Sequence, residues 1–356
     1  MEEQAAKTVF YRWRPLRYFL GFALVGGVLG PLWYLVYYPA ADLAGHDVAG
    51  GSIGPTSPAS SRNPFNLENL QLPRDQVISG GPPKDGIPSL TRPPTVPVAK
   101  ADFMQPTDRV VVVKIGDKRR AYPMRILNWH EAVNDELGGV PIGVIYCPLC
   151  DSASVVDRRM DDRTYEFGIS GLLFNSNVLL YDRTDQALWS QLGLRAVSGP
   201  NAGRKLRHLD SWELTTFADL KERYPGADIL SRDTGHRRDY DRVAYAPYFQ
   251  TDKLMFPVAG YAPERYAKYG FRNKTAVVGV MSGGVARAYA LSELDRAGGT
   301  VTDTIGNSQI ELTLTPDKRG FRVLKAAPDA QVVHTFWFAW AVFHPETEVY
   351  QAKARE

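Results

Sequence analysis

The stretch Ile142-Gly143-Val144-Ile145-Tyr146-Cys147-Pro148-Leu149-Cys150 governs how the rest of the chain is read. Residues 140–146 carry no charge and are rich in β-branched side chains, which predicts a central, buried strand. That strand runs directly into a Cys-x-x-Cys turn holding both cysteines of a 356-residue chain. Upstream, Gly138-Gly139 is turn chemistry. Residues 110–115 predict a strand, Gly116-Asp117-Lys118 a hairpin turn, and 119–122 the return strand. Pro123 suits the first turn of a helix running to about Val133, with Met124 and Leu127 on its apolar face. Downstream, short strands are expected at 153–158, 164–169 and 178–182. A helix is expected at 214–224, stopped by Pro225-Gly226.

The chain also resembles itself. Val110-Val111-Val112-Val113-Lys114-Ile115-Gly116 aligns with Val277-Val278-Gly279-Val280-Met281-Ser282-Gly283. Arg120-Ala121-Tyr122 aligns with Arg287-Ala288-Tyr289, and Val133-Asn134-Asp135 with Val301-Thr302-Asp303. In that alignment Pro148 falls on Pro316, while Cys147 and Cys150 fall on Thr315 and Lys318, so only the first copy keeps its thiols. The expected fold is therefore α+β: β-rich mixed or antiparallel sheets with an internally duplicated hairpin–helix–strand unit, at about 108–158 and 275–326. One transmembrane helix precedes it.

Hydrophobic content of 44% and charged content of 23% are those of a globular protein. The net charge of +3, without a basic stripe interleaved with aromatics, argues against a nucleic-acid partner. Residues 18–38 contain no charged side chain, and at 1.5 Å per residue they match a hydrocarbon core of ~30 Å. Trp33, Tyr34, Tyr37 and Tyr38 crowd the far end, while Lys7, Arg12, Arg14 and Arg17 precede the run. The positive-inside rule makes 1–17 a cytoplasmic tail and 18–38 a single-pass plasma-membrane anchor. Residues 39–100, rich in Pro, Gly and Ser, read as an extracytoplasmic tether, with pieces such as Phe65-Asn66-Leu67 able to lie on the domain. Residues 101–356 form the extracytoplasmic globular part. A cleaved signal peptide is the rival reading; the apolar run is longer than its core requires.

Three chemistries compete at Cys147 and Cys150. A Cys-x-x-Cys turn at a strand end can lower one thiol's pKa and form an exchangeable disulfide, which suits an oxidising compartment and a redox partner protein. Alternatively the pair holds Zn or Cu, with His130, His334 or His344 completing the shell, because no second cysteine pair exists. The inert alternative is a local structural disulfide, which closes too short a loop to stabilise the fold much, or a pair of buried thiols. His130 and Glu131 precede the central strand and are the candidate proton-handling neighbours. The stretch 168–177 contributes Ser170 and Asn175, and 188–191 contributes Trp189 and Gln191, as candidate substrate-binding residues. Gly168-Ile169-Ser170-Gly171-Leu172 is no nucleophile elbow, since position 172 is Leu. Trp337 and Trp340 are expected in the core.

The ordered strings Asn128-Trp129-His130-Glu131-Ala132-Val133-Asn134-Asp135, Gly138-Gly139-Val140-Pro141, Tyr146-Cys147-Pro148-Leu149-Cys150 and Ser170-Gly171-Leu172-Leu173-Phe174-Asn175-Ser176 resemble the domain of unknown function 3179 family. Tyr181-Asp182-Arg183, Leu188-Trp189-Ser190-Gln191 and Phe343-His344-Pro345 extend the resemblance over about 105–350. Asp151 stands where the pattern suggests Gly. The resemblance implies little about activity beyond thiol redox chemistry at Cys147 or Cys150. The leading expectation is a redox-active pair with Cys147 attacking and Cys150, His130 and Glu131 assisting. The alternatives are a Zn or Cu module built on Cys147, Cys150, His130 and His344, or a non-catalytic envelope- or carbohydrate-binding module using the surface of Trp189 and residues 170–177.

Overall fold

The computed structural model describes residues 64–328 and 330–353. The expected tail, the membrane-spanning helix at 18–38 and the first part of the tether lie outside them. Among the described residues no helix is long and apolar enough to cross a membrane.

The order of elements occurs twice. The first unit runs β1 (Arg109–Ile115), β2 (Lys118–Pro123), α1 (Met124–His130), β3 (Ala132–Leu137), β4 (Val140–Cys147) and β5 (Ser152–Asp157). After an insertion it resumes with β6 (Trp212–Thr216), α2 (Phe217–Arg223) and β7 (Asp228–Leu230). The second unit repeats this as β8 (Ala276–Ser282), β9 (Val285–Ala290), α3 (Leu291–Arg296), β10 (Thr300–Ile305), β11 (Ser308–Leu314) and β12 (Phe321–Lys325). It closes with β13 (Gln331–Phe336), α4 (Trp337–Phe343) and β14 (Glu348–Val349).

The two units interleave. One eight-stranded sheet has the order β3-β4-β5-β13-β8-β9-β14, with Leu90–Thr91 added outside β3; the other has β10-β11-β12-β6-β1-β2-β7, with Thr95–Pro97 added outside β7. Each sheet thus takes three strands from one unit and four from the other. Most pairs are antiparallel; β2–β7, β9–β14 and Leu90–Thr91 with β3 are parallel, so both sheets are mixed. The chain is a β-rich α+β protein.

The repetition extends to side chains. Arg120 and Tyr122 both donate to Asp135 Oδ2 at 2.8 Å, and Arg287 and Tyr289 donate to Asp303 Oδ2 at 2.6 and 2.8 Å. The second oxygen of each carboxylate accepts the next backbone N–H, from Glu136 and Thr304. A carboxylate on the third strand thereby ties the hairpin to it in both units.

Two sequence expectations need correction. The helix entered at Pro123 stops at His130 instead of Val133, because Glu131 takes a left-handed conformation (φ 57) and Ala132 starts a strand. The expected helix at 214–224 begins only at Phe217; Thr215 and Thr216, β-branched, extend β6, and Thr216 Oγ1 caps the helix by accepting from Asp219 N–H.

Parts of residues 64–100 lie on the domain, among them the piece Phe65-Asn66-Leu67 that the sequence allowed there. Val77–Ser79 pairs with Phe167–Phe174, Asn66 bridges Ala187, and Phe65, Leu67 and Leu72 pack beside Leu179 and Leu188. Proline and glycine break this segment into short pieces, yet its apolar side chains find a covered face.

Strand alternation distributes the core. Ile142, Val144 and Tyr146 face the cluster between the two large sheets, which includes Trp212 and Phe321. Ile145 and Cys147 face the opposite side. That side is roofed by the insertion of the first unit, residues 158–211, whose strands Phe167–Phe174, Asn177–Asp182, Leu188–Ser190 and Arg195–Ala196 form a five-stranded sheet with Val77–Ser79. In the second unit only 326–330 stands between β12 and β13.

Candidate functional site

Pro148 ends β4 and opens a single 3-10 turn over Pro148–Cys150, a position where its missing N–H costs nothing. Both cysteines are free and buried, at 1% and 0% exposure. The Cys150 thiol donates to the Ser176 carbonyl at 3.2 Å, and Cys147 Sγ lies 3.9 Å from the same oxygen. Ser176 and Asn175 both take left-handed conformations, in the turn between strands Phe167–Phe174 and Asn177–Asp182.

The two sulfurs are inequivalent. Burial pushes the Cys147 thiol up, but the neighbouring Cys150 side chain and the backbone of Val178, Cys150 and Leu149 outweigh burial and bring it below its ordinary value. Burial and the adjacent Cys147 sulfur push Cys150 well above. Cys147 stands at the N-terminal end of that turn, a position that favours a thiolate. Cys147 is therefore the group poised to ionise and Cys150 the one poised to keep its proton.

Glu131 is placed by the β3–β4 hairpin. Its carbonyl accepts from Tyr146 N–H at 2.7 Å, which sets it across from the residue preceding Cys147. It is 6% exposed, and among the described residues its carboxyl has no hydrogen-bond partner. Burial, followed by the charge on Cys147, pushes this carboxyl well above its ordinary value. A left-handed backbone at a non-glycine residue costs about 1–3 kcal/mol, so the fold accepts strain to set Glu131 here.

Asp151, immediately after Cys150, is also left-handed (φ 44). Its carboxylate accepts from Arg109 at 2.6 and 2.9 Å, from Tyr146 OH at 2.8 Å, and lies 3.3 Å from His334 Nε2. Burial opposes its ionisation, but Arg109 and His334 outweigh burial and hold it well below the carboxylate range. These partners come from β1, β4 and β13. They hold the end of the turn, and Thr335 Oγ1 adds a hydrogen bond to the Cys150 carbonyl at 3.2 Å.

Behind the sulfurs lies a polar network from the insertion. Gln191 Oε1 accepts from Ser152 Oγ at 2.6 Å and Asn177 Nδ2 at 2.7 Å, Gln191 Nε2 reaches Ser154 Oγ at 3.3 Å, and Asn177 also favours ionisation of Cys150. Above them, Tyr248 OH donates to the Leu149 carbonyl at 2.7 Å.

The expected site residues separate. Cys147, Cys150 and Glu131 come together, and Gln191 joins them through Asn177 and Ser152. His130 does not share their surroundings: its Nδ1 is 2.7 Å from the Pro88 carbonyl, its Nε2 is 2.6 Å from Tyr240 OH, and burial pushes it down to about 4. Both ring nitrogens are thus occupied. His344 packs against Trp340 at the end of α4, and burial likewise pushes it down to about 4. Among the described residues no group of three or more His, Cys, Asp or Glu is placed to hold a metal ion, so the set Cys147, Cys150, His130 and His344 is not assembled.

Ser170 Oγ donates to the Leu179 carbonyl and accepts Leu172 N–H within a bulge, so it is occupied structurally. Trp189 donates to Asp182 at 2.9 Å and packs on Phe167. Asn175 accepts Ala259 N–H at 2.9 Å. Ser170, Asn175, Trp189 and Gln191 are all buried. Ser176, Asn177, Asp151 and Tyr248 are the residues that sequence reasoning did not assign. The first three lie in strings already singled out, whereas nothing local marks Tyr248.

The chain matches the family described as protein of unknown function (DUF3179) over residues 84–334 and belongs to it. No curated protein and no solved structure matches it.

Proposed function

Starting from membership of that family, we propose that the chain carries out thiol–disulfide exchange at Cys147 and Cys150, outside the cytoplasm and tethered by an anchor at 18–38. The observation that carries this reading is the geometry of the pair: Cys147 caps the 3-10 turn, the Cys150 thiol is held by the Ser176 carbonyl, and the buried Glu131 is bonded through its carbonyl to the residue before Cys147.

In the proposed reaction the Cys147 thiolate attacks one sulfur of a substrate disulfide. A mixed disulfide forms, the substrate S–S bond breaks, and the departing thiolate takes the Glu131 proton. The Glu131 carboxylate then removes the Cys150 proton, and Cys150 attacks Cys147 Sγ, releasing the second substrate thiolate to be protonated by solvent. The pair ends as a disulfide, two electrons having passed to the substrate; a partner dithiol or disulfide runs the cycle in either direction. His130, held by Pro88 and Tyr240, has no step in it.

Thiol titration and intact mass across a series of glutathione redox buffers test this. The expected result is a reversible loss of two hydrogens, abolished in Cys147→Ser and in Cys150→Ser. Two thiols that stay reduced in every buffer reject the proposal. A stoichiometric Zn or Cu that is lost in those variants replaces it with metal handling.

A further inference from the structure

Both sulfurs are buried, yet exchange requires a substrate sulfur to reach Cys147 directly. One of the walls around them has to move. The first wall is the sheet carrying β4, β5 and β13, and the second is the insertion, tied to β5 through Gln191 and Ser152. The third is residues 246–259, in the connection between β7 and β8. It contains no strand and a single helix of four residues, Ala246–Phe249.

Burial alternates along this stretch. Leu254, Phe256 and Val258 pack, half-buried, on the cluster that holds both cysteines, while Met255 between them is 47% exposed. Tyr248 OH donates to the Leu149 carbonyl, inside the Cys turn, and Ala259 N–H donates to Asn175 Oδ1, beside Ser176. The stretch thus closes over both turns that bracket the sulfurs. Left-handed residues flank it, Tyr245 (φ 62) and Gly260 (φ 75), and hinge rotation is absorbed at a few loop positions of this kind. Its latch lies outside the site. Lys274 Nζ donates to the carbonyls of Tyr248 and Thr251 at 2.5 and 2.6 Å, and Asp252 accepts from the backbone N–H groups of Asn273 and Lys274.

We propose that residues 246–259 form a lid that opens as a local unit to admit a substrate disulfide to Cys147 and Cys150. Its purpose rests on the exchange reading, but its opening is read with iodoacetamide, whether or not the pair ever oxidises.

The experiment follows alkylation of the full chain by intact mass, and hydrogen exchange over 246–259, across low urea concentrations. Local opening exposes little surface, so the wild-type alkylation rate should barely change with urea below the unfolding transition. Lys274→Met removes the latch and leaves the site residues in place. It should speed both alkylation and exchange over 246–259 about fivefold, the worth of one net hydrogen bond, with no matching change in β4 and β5. A wild-type rate that climbs with urea as steeply as global unfolding overturns the proposal, and that result needs no variant to fold. So does a folded Lys274→Met that keeps the wild-type rates. Faster alkylation with exchange over 246–259 unchanged is altered thiol reactivity, and it overturns the lid as well.

Discussion

Asp151 grips Arg109 through both carboxylate oxygens, at 2.6 and 2.9 Å, one residue beyond the second cysteine. Arg109 belongs to one large sheet and Asp151 leads into the other, so this ion pair joins the two sheets next to the Cys turn.

Breaking that pair leaves the Arg109 guanidinium without its carboxylate. Removing one partner of a buried pair costs about 3–5 kcal/mol; with Arg109 one-fifth exposed, Asp151→Ala should fall at the lower end. Urea denaturation at pH 7 reads the loss. Because the folded pKa of Asp151 is depressed, its contribution is present above about pH 3.8 and lost as pH falls through the lower folded value. At pH 5 the variant should therefore show its full deficit.

Glu131 has the opposite sign. Its folded pKa is raised, so the stability it contributes is complete below about pH 4.5 and lost as pH rises through the folded value. Glu131→Gln removes the titration and should melt higher than wild type at pH 8, with little difference at pH 4. The same substitution should slow thiol exchange by about 10²-fold or more, the usual worth of a proton-transfer group. A variant that is unchanged in exchange rate removes Glu131 from the proposed mechanism.

His130, His208 and His344 are each pushed down to about 4, burial being the first cause in every case. The unfolded chain binds their protons near pH 6.5, so it holds more protons than the fold between pH 6.5 and 4, and stability falls as pH drops across that window. Asp151 stays ionised in the fold and adds to the fall only at the acid end of the window, where the unfolded chain begins to protonate it. Glu131 works against the trend, so the fall should be steeper in Glu131→Gln. Equilibrium unfolding at half-unit steps measures it.

The duplicated triads allow a comparison within one molecule. Asp135 is 4% exposed at the side chain and Asp303 23%. With the same partners, Asp135→Ala should cost about 3–5 kcal/mol, and Asp303→Ala should lie closer to the roughly 0–1 kcal/mol of an exposed pair. Equal losses by chemical denaturation would falsify the burial argument.

Much of the repeated unit was legible along the chain. Arg120-Ala121-Tyr122 with Asp135, and Arg287-Ala288-Tyr289 with Asp303, are the same local device written twice, and both cysteines stand out at the end of one strand. The helix ends were misjudged because Glu131 leaves the helix through a left-handed residue that propensity does not anticipate. At the site, Cys147 and Cys150 stand out by type and spacing. His130 and Glu131 share one position before the central strand, and only the fold turns Glu131 toward the thiols and His130 to Pro88 and Tyr240.

Strand period, turn chemistry and the position of a Cys-x-x-Cys depend on neighbours a few residues away, and those the sequence determined by itself. The tertiary structure decided the rest. It interleaves the two units and roofs only the first with the insertion at 158–211. It gives His130 to Pro88 and Tyr240, and it brings Ser176, Asn177 and Tyr248 to the sulfurs. The physical reason is that these depend on which distant surfaces bury one another, and a side chain's partner at long range leaves no periodic mark in the residues around it.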